Sequence, residues 1–297
     1  MHSGWRAAVL ALCLALFSPA CAGSSGDATW PPSGNNPPPE EPESPNPPSP
    51  QPPTPPASPS EPPPSPPPGP PVPNPPAIGA GARVLFVGNS LTQVNDVPGM
   101  VRALAAAAGL AWTVEAQLAG GAGLQDHWGR GLVQARIREG DWDAVVLQQG
   151  PSSLEESRVT LRHWARVFDE LVRESGGRSA LYMVWPERSR FAWFDRVRDS
   201  YALAARDVDG WFLPAGQSWR VAWEEEPALQ LYGGDGFHPA VAGSWAAALT
   251  IFGGLSEHPL DDLPAPAGMD STTAERLRRA AAGALERYGD YGPVDAP

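Results

Sequence analysis

The sequence predicts an α/β domain built on a mainly parallel sheet of five strands, and two observations carry that prediction. From Arg83 onward, short apolar runs alternate with longer amphipathic ones, the pattern of repeated strand–helix–strand units. The run Ala144-Val145-Val146-Leu147 shows no polar alternation, as expected of a central strand covered on both faces.

Strands are read at 83–87, 113–118, 144–148, 180–184 and 211–213, each closing near a glycine, proline or polar residue. Helices are read at about 98–108, 132–138, 154–174, 191–205, 240–252 and 272–288. Within the third of these, Leu161, Trp164, Val167, Phe168 and Leu171 keep helical spacing and should face the sheet. No internal repeat is apparent.

The chain has 297 residues, but its first quarter cannot join a core. Residues 1–22 carry Arg6, an apolar stretch from Ala7 to Phe17 and small residues around Ala20 and Ala22, which reads as an export signal. That stretch is too short to span a bilayer comfortably. Both cysteines of the chain, Cys13 and Cys21, lie in it, so the folded domain has neither disulfides nor thiolate metal sites. Cys21, after Ala20 and before Ala22-Gly23-Ser24-Ser25, stands where a lipoprotein cysteine would, with Ser18 in the place of the usual Leu; simple cleavage after Ala20 or Ala22 fits the same residues. The expected product is an exported, membrane-anchored lipoprotein of the periplasm or cell surface, with a secreted form as the alternative.

Residues 23–76 read as a disordered stalk, because residues 31–76 hold 26 of the chain's 38 prolines among Ser, Asn and Glu. At roughly 3.1 Å per residue in polyproline II, such a segment reaches on the order of 100 Å from its anchor. The folded domain is then expected over residues 77–297. A net charge of −12, with 21 arginines and no lysine, shows no basic stripe and argues against nucleic acid or anionic membrane as partners.

Two motifs carry chemistry. Gly88-Asn89-Ser90-Leu91-Thr92 follows the first strand directly, a turn that would present the Ser90 hydroxyl at the carboxyl edge of the sheet, where open α/β folds place their ligands. Asp235-Gly236-Phe237-His238-Pro239 follows 145 residues later and puts an acid and an imidazole three residues apart on one loop. A serine hydroxyl is a poor nucleophile until an imidazole takes its proton, and the imidazole must be held in the right tautomer. His238 is therefore the candidate base and Asp235 its orienter. Thr92 stands where an ordinary α/β-hydrolase has a second Gly, and that fold separates Asp from His.

Four patches over residues 83–254, taken in order, resemble the SGNH hydrolases, also called GDSL-like esterases. The resemblance implies a flavodoxin-like three-layer α/β/α sandwich and an acyl-enzyme mechanism. Gly88 to Thr92 resembles the first block, and Asp235 to His238 the last. Gly120-Gly121-Ala122-Gly123, after the second strand, resembles the second block, which implies Gly121, or alternatively Gly120, as an oxyanion donor beside the Ser90 N–H. The third block departs from the family's Gly-x-Asn, since here the run is Gln148-Gln149-Gly150-Pro151-Ser152. Gln149 is the expected third donor, and Ser152 the alternative.

A bacterial subgroup of the family shares the first block, a Gly-Gly-x-x-Leu-x-x-His-Trp run matched by Gly120 to Trp128, a Gln-rich third block, and an Asp-x-x-His-Pro-x-x-x-Gly-Ser run matched by Asp235 to Ser244. The resemblance implies no cofactor, and no metal-ligand spacing is visible. The expected reaction is hydrolysis of short acyl esters, acetyl on carbohydrate first, since no lid-sized insertion separates Gly150 from Asp235. A non-catalytic glycan-binding surface protein on the same fold is the alternative. His127 and Trp128 are read either as cleft-lining or as packing residues, and most of the ten tryptophans beyond residue 80 as core. The oligomeric state is left open.

Overall fold

The computed structural model describes residues 73–290. The expected export signal at 1–22 with Cys21, residues 23–72 of the expected stalk, and 291–297 of the expected domain lie outside the described residues.

In chain order the elements are β1 (Arg83–Gly88), α1 (Ser90–Gln93), α2 (Val97–Ala107), β2 (Thr113–Leu118), α3 (Leu124–Arg130), α4 (Leu132–Glu139), β3 (Ala144–Leu147), α5 (Glu155–Glu174), β4 (Arg178–Tyr182), a 3-10 helix (Arg188–Trp193), α6 (Phe194–Asp207), β5 (Trp211–Leu213), α7 (Ala215–Glu225), α8 (Val241–Ser256) and α9 (Ser271–Tyr288). The five strands form one sheet in the order β2-β1-β3-β4-β5, every pair parallel. Helices α2 and α8 cover one face, with α7 and α9 packed around α8; α3, α4, α5 and α6 cover the other. This is the expected three-layer α/β/α sandwich.

The residues explain the layering. All four side chains of β3 are buried, which a strand needs when both faces carry helices. Helix α5 turns Leu161, Ala165, Phe168, Leu171 and Val172 inward at helical spacing. Helix α8 is apolar nearly all round, from Trp245 to Leu255, because it is walled by the sheet, α2, α7 and α9.

Strand order reverses at β1. The chain leaves β1 to build β2 on one side and returns through β3 on the other, so the carboxyl ends of β1 and β3 open a crevice between diverging connections. Gly88 ends β1 and Leu147 ends β3, which delivers both Ser90 and the Gln148-Gln149 pair to that crevice.

The structure adds α1 and α3, which the sequence reading did not place, opens the helix read at 191–205 with a 3-10 turn, and differs at three further points. Strand β4 runs over Arg178–Tyr182 rather than 180–184: its ladder to β3 starts at Arg178 opposite Ala144, and Met183 to Trp185 are buried by other contacts. Helix α7 follows Pro214 where no helix was expected. Gly216, which looks like a breaker, is needed there because a Cβ would come 2.4 Å from the Val184 carbonyl oxygen. The ordered domain also begins before residue 77. The Asn74 carboxamide accepts from Phe212 N at 2.8 Å and donates to Phe212 O at 3.3 Å, Pro75 O accepts from Trp211 Nε1, and Pro75 is buried. Asn74 thus covers the open edge of β5 as a backbone strand would.

Replacing Asn74 with Ala removes both bonds and should destabilise the full chain by about 1–2 kcal/mol, lowering the thermal midpoint by a few degrees. A midpoint unchanged in differential scanning calorimetry would mean that the edge needs no such cover.

Candidate active site

The nucleophile turn is fixed by its neighbours before Ser90 itself is considered. Asn89 caps α1, its Oδ1 accepting from Leu91 N at 3.0 Å, and its Nδ2 donates to Ala122 O at 3.1 Å. Gln148, buried at the end of β3, uses its whole carboxamide on this turn. Oε1 accepts from Asn89 N at 2.9 Å and Thr92 Oγ1 at 2.8 Å, while Nε2 donates to Asn89 Oδ1 at 3.0 Å and to Gln149 O. Gly88 must be glycine here, since a Cβ would lie 2.5 Å from Gln148 Oε1. The Gly88 carbonyl accepts from Ala119 N and from His127 Nε2 at 2.9 Å. Burial pushes the His127 pKa down, so the ring is neutral with its proton on Nε2, where the carbonyl accepts it. His127 is therefore a buried strut, and Trp128 packs against Trp164 and Phe168; neither lines the cleft.

The second half of the site is a tight hairpin. Gly233 N donates to His238 O at 2.7 Å, and Tyr232 bridges Pro239. Gly236 takes φ +70°, the left-handed region that glycine enters without strain. Asp235 Oδ1 accepts from Phe237 N and His238 N, and Oδ2 lies 2.5 Å from His238 Nδ1. These bonds, that to the imidazole first, hold the Asp235 carboxyl well below its ordinary range, at about 2. With Nδ1–H given to the carboxylate, the Nε2 lone pair faces Ser90 Oγ at 2.9 Å. Ser90, His238 and Asp235 therefore stand in one hydrogen-bonded row that can move the serine proton to the imidazole.

Asn95 ties the two halves together, a residue that the sequence reading did not single out. Its Nδ2 donates to Pro239 O and to Ser244 Oγ, both at 3.0 Å. Asn95 and Asp96 both take left-handed backbone angles, with φ of 60° and 55°. Asparagine and aspartate tolerate that region best among residues with side chains. Ser244, the last residue of the motif that starts at Asp235, also reaches Val94 O.

Ser90 opens on a cleft of about 470 Å³. Gly121 lines it and Gly120 does not. Among the described residues neither Ser90 N–H nor Gly121 N–H has an acceptor, whereas the neighbouring Gly123 N donates to Asp126 Oδ2 and Leu124 N to Gln149 Oε1. Two free donors thus border the hydroxyl. Gln149 and Ser152 line the same cleft and bind each other: Gln149 Nε2 donates to Ser152 Oγ at 2.9 Å and, at a long 3.5 Å, to Ser157 O. Because the Ser152 proton goes to Gly150 O, its Oγ accepts from the amide, which turns Nε2 toward it and Oε1 toward Leu124 N at 3.5 Å. Gln149 can turn a hydrogen into the cleft by releasing only the weak Ser157 contact; Ser152 must break a full bond.

The loop carrying Gln149 is held from α6. The buried Tyr201 hydroxyl accepts from Gln149 N and donates to Gln149 O, and Ser200 Oγ donates to Ser152 O at 2.6 Å. Among the described residues, no group of three or more His, Cys, Asp or Glu is placed to hold a metal ion, and no helix is long and apolar enough to cross a membrane.

No family model and no curated protein matches the sequence. Solved structures do. A DUF4886 family protein from Bacteroides uniformis superposes with a TM-score of 0.62 at 19% identity, over 70% of this chain and 95% of that one. A protein from Slackia heliotrinireducens, described as a candidate SGNH hydrolase, gives 0.50 at 28% identity, over 58% and 97%. A catalytic mutant of an acetylxylan esterase from Geobacillus stearothermophilus gives 0.43 at 19% identity, over 59% and 94%.

Two outcomes follow. Gln148→Leu strands the Asn89 N–H and the Thr92 hydroxyl in a buried site, although Gln149 O keeps the Tyr201 hydroxyl, and should cost roughly 3 kcal/mol in thermal unfolding while slowing the reaction of Ser90 with a fluorophosphonate at least tenfold. Unchanged labelling would show that the turn holds without it. For Asp235 the sign is that of a depressed carboxylate: its pairing contributes above the ordinary carboxylate pKa and is lost as pH falls through about 2. The ¹³C resonance of its carboxyl carbon should show no titration step between pH 3 and 5, and a step near 4 would contradict the arrangement.

Proposed function

The chain has the SGNH hydrolase fold, and from that premise we propose that it is an exported serine esterase acting through an acyl-enzyme on Ser90. The observation that carries this reading is the row Ser90 Oγ to His238 Nε2 at 2.9 Å and His238 Nδ1 to Asp235 Oδ2 at 2.5 Å, beside two N–H groups, of Ser90 and Gly121, that have no acceptor among the described residues.

Ser90 Oγ attacks the ester carbonyl as His238 Nε2 takes its proton, and the negative charge on the carbonyl oxygen falls to the N–H groups of Ser90 and Gly121, with Gln149 Nε2 as third donor. Each such donor is worth about 3–4 kcal/mol in the transition state. The imidazolium then protonates the departing alkoxide, leaving the acyl-enzyme, and water attacks by the same route in reverse to release the acid and restore Ser90. Asp235 keeps the imidazole in the working tautomer and offsets its transient charge. These steps need neither metal nor cofactor.

For the substrate, a short acyl group such as acetyl on carbohydrate fits best. The cleft carries Gln125, Asp126, Ser157 and Thr160, side chains suited to a hydroxyl-rich leaving group. The export signal and Cys21 anchor belong to the same proposal and would hold the domain outside the cytoplasm, on its proline-rich stalk. A second reading, a non-catalytic glycan-binding surface protein, is favoured by one observation: both hydrogens of the Gln149 amide already have partners, at 2.9 and 3.5 Å.

The full chain should release acetate from p-nitrophenyl acetate, and Ser90→Ala should lower kcat/KM at least a thousandfold. Equal rates in the two proteins would leave the glycan-binding reading standing. Expressed in a bacterial host, the wild-type chain should partition with membranes and Cys21→Ser should not; a membrane-bound, processed Cys21→Ser protein would remove lipidation as the anchor.

A further inference from the structure

We propose that Trp185 is a positioning residue for the His238 imidazole, acting through the carbonyl of Phe237; this rests on the reading of His238 as the base of Ser90. Trp185 is fully buried just past β4, and its Nε1 donates to Phe237 O at 2.9 Å, across 52 residues of sequence. The bond matters because of where it falls. Three successive carbonyls of the hairpin each accept from a donor of their own: Gly236 O from Arg188 N at 2.8 Å, Phe237 O from Trp185 Nε1, and His238 O from Gly233 N at 2.7 Å. Only the middle donor is a side chain.

The Asp235 carboxylate secures the opposite edge of the same peptides, taking Phe237 N and His238 N. The peptide joining Phe237 to His238 therefore has its carbonyl fixed by Trp185 and its N–H fixed by Asp235. That peptide sets the direction in which the His238 side chain leaves the backbone. Asp235 alone would hold the imidazole to the loop; Trp185 holds the loop to the sheet that carries Ser90.

Trp185 is itself rigid. Its ring stacks on Trp219, with centroids 3.8 Å apart and planes at 15°, and Trp219 Nε1 donates to Gly243 O in the first turn of α8. The Trp219 ring meets Tyr232 edge-on, and the Tyr232 hydroxyl donates to Pro186 O, the residue after Trp185. Gly243 has no room for a Cβ, which would lie 2.4 Å from Trp219 Cζ2. A donor on so stiff a mount can hold the His238–Ser90 distance to the few tenths of an ångström that proton transfer demands.

Two conservative variants of the full chain separate positioning from packing. Trp185→Phe keeps an aromatic ring but deletes the donor to the hairpin; Trp219→Phe deletes a donor in the same stack that points at α8 instead. With p-nitrophenyl acetate, Trp185→Phe should lower kcat about tenfold with KM within about twofold, and should slow fluorophosphonate labelling of Ser90 by the same factor. Trp219→Phe should lower the thermal midpoint as much or more, yet leave kcat within about twofold. If Trp185→Phe does not fold, 3-benzothienylalanine at position 185 replaces the N–H with sulfur in an isosteric ring and should give the same tenfold loss. A Trp185 variant within twofold of wild type, or no worse in kcat than Trp219→Phe, overturns the proposal. A wild-type chain that the fluorophosphonate does not label at Ser90 would instead break the reading beneath it, and the proposal would fall with that reading.

Discussion

The site depends on one carboxamide. Gln148 stands at the end of β3, next to β1 in the sheet, and spends both lone pairs and both hydrogens there: on Asn89 N, Thr92 Oγ1, Asn89 Oδ1 and Gln149 O. In a buried setting an unmade bond costs more than a made one contributes, so the four partners admit few alternative arrangements. The consequences run outward from it. Gly88 has no space for a side chain, Asn89 is turned to cap α1 and to reach Ala122, and Ser90 is left at the mouth of the crevice with its N–H free. The same carboxamide touches the third-block loop through Gln149 O, so nucleophile and third donor share a mount.

Against this fixed half stands a hairpin that must arrive from the far end of the chain. The imidazole meets Ser90 across 148 residues, and the meeting is arranged by Asn95 on Pro239, Arg188 on Gly236 and Trp185 on Phe237. Each joins the hairpin to a segment that follows a strand of the sheet: Asn95 follows β1, and Trp185 and Arg188 follow β4. Loop residues that look free in the sequence are thus as constrained as the core. The asymmetry is chemical as well: the exposed Asp235 keeps its charge far into acid because the hairpin points the His238 imidazole, and then two N–H groups, at it.

The sheet was legible because β1, β3 and β5 are short and wholly or nearly wholly apolar, a pattern that only a doubly covered strand needs. The end of β4 was not, since Met183 to Trp185 are as apolar as the strand itself, yet Met183 bonds Leu213 and Gly216 and Trp185 bonds the hairpin. Helix α7 was hidden by Gly216, which answers close contact with Val184 rather than a turn, and α3 by the glycines before it. In the site, Ser90, Asp235 and His238 stood out through their order and spacing. Gln148 and Gln149 are adjacent and chemically identical; Gln149 was singled out by the resemblance alone, and the structural role of Gln148 shows only in its partners, Asn89 and Thr92, against Leu124 and Ser152 for Gln149. Asn95 and Trp185 carry no local motif, because their partners lie 144 and 52 residues away.

The most direct test is a crystal structure of the full chain after reaction with a fluorophosphonate. The account predicts one phosphonyl group, on Ser90 Oγ, with its oxygen within about 3 Å of Ser90 N, Gly121 N and Gln149 Nε2, the last having let go of Ser157 O. An adduct on another residue, no adduct at all, or a phosphonyl oxygen turned away from Ser90 N and Gly121 N would contradict it.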